Sequence, residues 1–277
     1  MTIRKRFTIP AVLALLVLGW APASSAKTVI TVGVYYFPPI AEVDRHQHAT
    51  YLLGDLLHQI EATNPNIDFR IVYTSPKRRY LDFEAGLYDV IFFESADWGW
   101  RDRNVTISPP IMIDEELYVA LKKPGRGQSF FDDIASHRVA ALSGYHYRFS
   151  NFKIDTKQLE KEFNIEFSDS HSRNLQLIMA DRPSVADIAA TNRAYLRTYF
   201  SEHPQSRDLF LISEKPDYQL ELRIIARKDG PVSANDLYNM LIPISEDGTY
   251  RSLAEKWGLE VPPGFPVKLP VSQESAP

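Results

Sequence analysis

Apolar and polar positions alternate between two periods along the chain, and each period predicts a different element. Residues 28–40, TVITVGVYYFPPI, read as a buried strand from Val29 to Tyr35 that stops at Pro38-Pro39. Leu52, Leu53, Leu56, Leu57 and Ile60 then recur at helical spacing and give one apolar face. DFRIVYT (68–74) predicts a second strand, PKRRYLDFEAGL (76–87) a helix opened by Pro76 and ended near Gly86, and YDVIFF (88–93) a third strand. Strand, helix, strand, helix, strand is the pattern of an α/β unit with a largely parallel sheet covered on both faces. In such sheets a ligand crevice forms at the carboxyl ends of the strands, where the FPP turn and the stretch Asp97-Trp98-Gly99-Trp100-Arg101 fall.

A second series begins with a long strand over 115–122 and continues with a strand and turn over 139–144. A helix follows at 174–182, a strand at 184–191, a helix at 192–200 and a strand at 209–213. Residues 218–228 predict another long strand, and two helices follow, the second opening at Asp247-Gly248. The end of the chain is rich in proline and small polar residues and is expected to be extended. The expectation is two α/β units joined through the 115–122 and 218–228 strands.

Composition narrows the chemistry. The 277 residues include no cysteine, which removes disulfides, thiol nucleophiles, cysteine metal sites and a lipoprotein anchor. Residues 1–26 carry Arg4, Lys5 and Arg6, an apolar run from about Ile9 to Trp20, and small residues before Lys27, the three-part pattern of a cleaved secretory signal. Its loss moves the net charge from −4 to −7, because the segment holds three basic and no acidic residues. An acidic exported chain does not suit nucleic acid or anionic membrane surfaces, and no insertion into the membrane is expected after cleavage. Asp44, His46 and His48 are too few for a metal site, and no phosphate loop, nucleophile elbow or zinc-protease helix is present, so no cofactor or metal is expected.

Four segments in order carry a family resemblance: TVGVYYFPPI, PKRRYLDFEAGLYDVIF, RDRNVTISPP and DGTYRSLAEKWGL. Together they resemble the periplasmic solute-binding proteins of the amino-acid type, the bilobal receptors of ABC importers with the type II periplasmic-binding-protein fold. The resemblance implies an α/β protein of two lobes, each a mixed, mainly parallel sheet flanked by helices, joined by two hinge strands. The expected division is a signal peptide (1–26), lobe 1 (27–117 and 218–265), an inserted lobe 2 (118–217) and an extended tail (266–277). It implies a monomer in the periplasm that closes on a small, carboxylate-bearing ligand and serves an ABC permease or a membrane sensor.

In that family the arginine before Ser-Pro grips the ligand's carboxylate, and Arg101 occupies the position, twelve residues after Asp89 and seven before Ser108. A guanidinium is a permanently charged planar fork that suits a carboxylate. The alternative for Arg101 is a surface salt bridge to Asp97 or Asp102. Phe37, Trp98 and Trp100 are candidate aromatic walls; Phe37 is equally consistent with a buried strand end, and the tryptophans can stack on a ligand or on the guanidinium itself. Arg79 is a candidate that would point from the second helix toward the cleft, with a solvated helix face beside Lys77 and Arg78 as the alternative, and Tyr145 and His146 stand at the turn of the closing lid. Glu94 or Asp187 is the candidate partner for an amino group. The tryptophans and Glu94 stand where the family keeps small polar residues, which argues against the usual α-amino-acid ligand. No enzymatic activity is expected; the alternative is a lyase or dehydratase on this fold that uses Glu94 as general acid.

Overall fold

A computed structural model describes residues 27–270. The signal-peptide reading (1–26) and the last part of the tail lie outside the described residues. The described residues form twelve strands and seven α-helices. The strands are β1 (Thr28–Val34), β2 (Glu42–Val43), β3 (Ala49–Thr50), β4 (Ile67–Tyr73), β5 (Val90–Glu94), β6 (Val105–Ile107), β7 (Met112–Leu121), β8 (Val139–Leu142), β9 (Ile165–Ser168), β10 (Ile188–Asn192), β11 (Phe210–Ile212) and β12 (Tyr218–Arg227). The helices are α1 (Tyr51–Thr63), α2 (Arg79–Glu84), α3 (Thr156–Glu162), α4 (His171–Met179), α5 (Arg193–Glu202), α6 (Ala234–Glu246) and α7 (Thr249–Lys256).

Ten strands form one curled mixed sheet in the order β4-β1-β5-β12-β7-β10-β8-β9, with β6 beside β12 and β11 beside β7. Strand β1 runs parallel to both β4 and β5, and β8, β9 and β10 run parallel to one another. The two parallel sets meet through the long antiparallel strands β7 and β12. Residues 218–222 of β12 pair with 112–116 of β7, and residues 223–226 pair with β5. The set around β1 is called lobe 1 below and the set around β8 and β10 lobe 2.

The apolar periodicity explains the helices. In α1 the buried residues are the five that the spacing marks: Leu52, Leu53, Leu56, Leu57 and Ile60. They join β1, β5 and α6 in one core, while lobe 2 has a separate apolar cluster on each face of its sheet. Burying a side chain such as Leu56 contributes about 1.5–3 kcal/mol, so these faces dominate the stability of each lobe. Helix α2 differs from expectation. The helix spans only six residues and begins at Arg79, because Pro76 to Arg78 form a preceding turn closed by Arg78 and Arg79 amides on the Ser75 carbonyl. Helix α3 and strand β9 were not among the expected elements. Their signal is local: Asp155 accepts from the Gln158 amide at 2.9 Å and caps α3.

Candidate functional site

The carboxyl ends of both parallel sets face each other, and the loops that leave them meet. From lobe 1 come Tyr35 to Phe37 after β1, Pro76 to Tyr80 after β4, and Ser95 to Trp98 after β5. From lobe 2 come Gly144 to Tyr147 after β8, His171 after β9 and Asn192 at the end of β10. The Tyr145 hydroxyl donates to the Tyr36 carbonyl, and its ring meets Phe37 edge-on at 5.7 Å. His146 lies flat on Trp98, with ring centroids 5.7 Å apart and planes 4° from parallel. The lobes are therefore in direct contact across this junction.

A buried ion pair lies at its centre. Arg79 and Glu94 are 1% and 0% exposed and join Nε to Oε2 at 3.1 Å. The same oxygen accepts from the Trp100 indole N–H at 2.6 Å. Arg79 Nη2 donates to the Tyr80 hydroxyl at 2.8 Å, and Nη1 donates to the carbonyls of Pro76 and, across the junction at 3.4 Å, Gly144. The Tyr80, Tyr35 and Trp98 rings surround the guanidinium at 4.5, 5.1 and 5.9 Å. Burial alone would lower the Arg79 pKa, but Glu94 and the neighbouring tyrosines hold it above its ordinary value.

A bulge aims Glu94 at this pair. The β5–β12 register runs Arg223↔Glu94 and then Ile224↔Phe92, leaving Phe93 unmatched at φ 63°. One extra residue reverses the alternation of side chains, so Glu94 turns toward Arg79 and Trp100. A buried aromatic in left-handed backbone costs on the order of 1 kcal/mol or more, which the surrounding core must hold in place.

Burial, and then the charge of Arg79, push the His146 pKa down to about 3, against the opposing hydrogen bond to Phe152. The neutral ring has a defined tautomer. Its Nδ1 is 2.6 Å from the Phe152 carbonyl, which can only accept, so Nδ1 carries the proton. Nε2 lies 2.8 Å from the Tyr80 hydroxyl, whose proton goes to the Trp98 carbonyl at 2.5 Å. His171 is fully buried against Tyr195, with centroids 4.7 Å apart, and burial alone pushes its pKa down to about 3.

Seven of the nine expected residues converge here. Phe37, Arg79, Glu94, Trp98, Tyr145 and His146 touch the junction, and Trp100 supports Glu94 from behind while packing on Tyr80 and Phe83. Two do not. The Arg101 side chain is 63% exposed and pairs with Asp97 at 3.3 Å, the surface-bridge alternative. Successive turns after β5 carry it beyond the strand end, so spacing in sequence does not place it in the cleft. Asp187 lies just before β10, at the opposite end from the junction, where it accepts from the Arg138 amide at 3.0 Å and faces His137. Five residues of strand separate that end from Asn192 by about 3.3 Å each.

Residues not singled out from the sequence also shape the site. Tyr80 links Arg79 to His146, Tyr35 flanks Arg79 from lobe 1, His171 lies between Tyr145 and Tyr195, and Glu116 stands opposite Asn192 on β7 and β10. Glu116 pairs with Asn192 across β7 and β10 and with Tyr218 across β12. Glu116 is 5% exposed, and its Oε1 is buried without a hydrogen-bond partner. Burial, then Asp217 and Asp114, raise its pKa well above the ordinary carboxyl value. The acidic run Asp114-Glu115-Glu116 leading into an apolar stretch was the available signal.

No protein-family model matches the chain, and no curated protein matches it by sequence. Solved structures do match. A substrate-binding protein of an ABC uptake transporter from Streptococcus pneumoniae, with bound histidine, aligns with a TM-score of 0.66 at 17% identity, over 83% of this chain and 92% of that one. A histidine kinase sensor domain with similarity to periplasmic binding proteins aligns with a TM-score of 0.65 at 15% identity, over 86% and 99%. An ancestral amino acid-binding protein, a precursor of cyclohexadienyl dehydratase, aligns with a TM-score of 0.62 at 19% identity, over 83% and 94%. The fold is thus that of the two-lobed periplasmic-binding-protein-like proteins. No helix among the described residues is long and apolar enough to cross a membrane.

Proposed function

We propose that this chain is an exported, monomeric solute receptor that captures a small polar ligand between its two lobes. The observation that supports this reading best is the junction itself. Facing strand ends bring together a fully buried guanidinium, a buried carboxylate, a ring of aromatic side chains and several buried polar atoms without partners. Groups left unpaired at a lobe interface cost free energy, typically about 1–3 kcal/mol each, unless a ligand completes them. Ligands of two-lobed proteins enter when the lobes part by hinge motion, and β7 and β12 are the strands about which that motion would occur. The ABC transporter and sensor-kinase neighbours favour delivery either to a permease or to a membrane sensor in the periplasm.

A carboxylate held by Arg101 has no support in this geometry, because that side chain is exposed on Asp97. A lyase using Glu94 is the second reading, favoured only by the likeness to the dehydratase precursor. Against it, Glu94 is 0% exposed and its Oε2 is taken by both Arg79 and Trp100.

A thermal-shift screen of amino acids, organic acids, amines and sugars tests the receptor reading, since any ligand of the folded state raises the melting temperature by mass action. A positive solute should also reduce the radius of gyration or alter Trp98 fluorescence. A folded protein whose melting temperature no solute moves would refute capture.

A further inference from the structure

The charges buried between the lobes point to a ligand class. Among the described residues Arg79 is the one buried arginine or lysine. Its Nε, Nη1 and Nη2 all donate to protein acceptors, so no free fork remains for a ligand carboxylate. Its charge is balanced by Glu94.

Glu116 is a second buried acid at the junction, and no cation balances it. The groups that act on it electrostatically are Asp217 and Asp114, both acids. Its own charge reaches Tyr145, the residue that spans the lobes. Its register partner Asn192 keeps Nδ2 buried without a partner, as do both ring nitrogens of His171 at the start of α4. His171 stands between Tyr145, 6.1 Å away, and Tyr195, 4.7 Å away, so aromatic faces wall this corner. A second anion entering here would face two buried carboxyl groups and no available cation. A cation would face an unpaired carboxyl oxygen and aromatic rings, the surroundings that favour an ammonium group.

We propose that the ligand is a small organic amine without a carboxylate, its ammonium taken by Glu116 and its neutral polar atoms by Asn192 and His171. The proposal rests on the receptor reading above. It replaces a carboxylate anchor in lobe 1 by a cation anchor on the hinge strand β7, opposite Asn192 and Tyr218.

Matched pairs that differ only by the carboxylate provide the test. Titration calorimetry and thermal shift are run on the purified protein with cadaverine against lysine, agmatine against arginine, and tyramine against tyrosine. At least one amine is expected to bind, with its amino-acid counterpart at least about tenfold weaker. Glu116→Gln, nearly isosteric, should weaken that amine by about thirtyfold or more, as expected when a buried charge pair loses one partner. The unliganded variant should melt no lower than the parent, because it removes an unbalanced buried carboxyl. Amino acids binding as tightly as their amines, or amine binding untouched by Glu116→Gln, would overturn the inference while leaving the receptor standing. Binding of acids or sugars but of no amine would overturn it in the same way. Silence toward every solute would instead remove the receptor reading on which it rests.

Discussion

Replacing Arg79 by methionine should be among the most damaging single changes in lobe 1. The substitution keeps an unbranched apolar stem but deletes the donor to Glu94 at 3.1 Å, the donor to Tyr80 at 2.8 Å, and the contacts to the Pro76 and Gly144 carbonyls. Glu94, 0% exposed, would keep only neutral partners, chiefly the Trp100 N–H and the Tyr35 hydroxyl. Breaking a buried pair from one side costs about 3–5 kcal/mol, chiefly because the remaining charge is stranded. For a chain of this size, about 2–4 °C per kcal/mol places the melting temperature roughly 6–20 °C lower. Glu94→Gln alone should also destabilise, and the double variant Arg79→Met/Glu94→Gln should lose clearly less than the sum, because neither charge is then left alone. Urea unfolding of the four proteins measures the coupling. An Arg79→Met loss under about 1 kcal/mol, or strict additivity in the cycle, would refute the claim that this ion pair organises the junction.

Other outcomes follow from the same geometry. Arg101→Ala should change stability by less than about 0.5 kcal/mol and leave ligand affinity unaltered, since an exposed pair contributes little; a large loss of affinity in calorimetry would return Arg101 to the site. Gly144→Ala should hold the lobes apart, because φ is +83° and a Cβ would come within 2.8 Å of Lys77 and 3.1 Å of Pro76 across the junction. Small-angle scattering should then show a larger radius of gyration, and an unchanged radius would count against the contact. His146 and His171, held near pKa 3 in the fold and near 6.5 when unfolded, let the unfolded chain bind more protons in between. Stability should therefore fall as pH drops from about 6.5 toward 3, by up to about 1.4 kcal/mol per unit for each ring. A His171→Leu variant with an unchanged slope in urea unfolding would remove that contribution. Glu116 has the opposite sign: its raised folded pKa costs stability as pH rises past the ordinary carboxyl range, so the gain from Glu116→Gln should be larger at pH 7 than at pH 4.

Much of the candidate site was legible before any coordinates. The FPP turn, the Pro-Lys-Arg-Arg segment and the Trp-Gly-Trp stretch all follow predicted strands, and parallel topology sends the loops after those strands to one edge. Phe37, Arg79, Glu94 and Trp98 could therefore be gathered by chain order, while Tyr145 and His146 were reached through the family resemblance in lobe 2. Arg101 could not be judged in this way. Its distance from Ser108 along the chain is compatible with a cleft position, but the turns between Glu94 and Arg103 decide where the side chain goes. Asp187 failed for a related reason: a short apolar run shows that a strand exists without showing which end of it holds the carboxylate.

The amino-acid sequence by itself determined the order and type of the main elements, because apolar periodicity and the prolines and glycines at their ends are local properties. It also determined that aromatic and charged residues crowd the strand ends of lobe 1. The tertiary structure decided which charges meet. The bulge at Phe93 turns Glu94 inward to Arg79, and the pairing of β7 with β10 and β12 buries Glu116 beside Asn192 with no cation at hand. Those are consequences of register and of contact between distant segments, where a shift of one residue exchanges the buried face for the exposed one. That is why the buried guanidinium proved to be Arg79, and why the unbalanced acid came from the middle of a strand that reads as core.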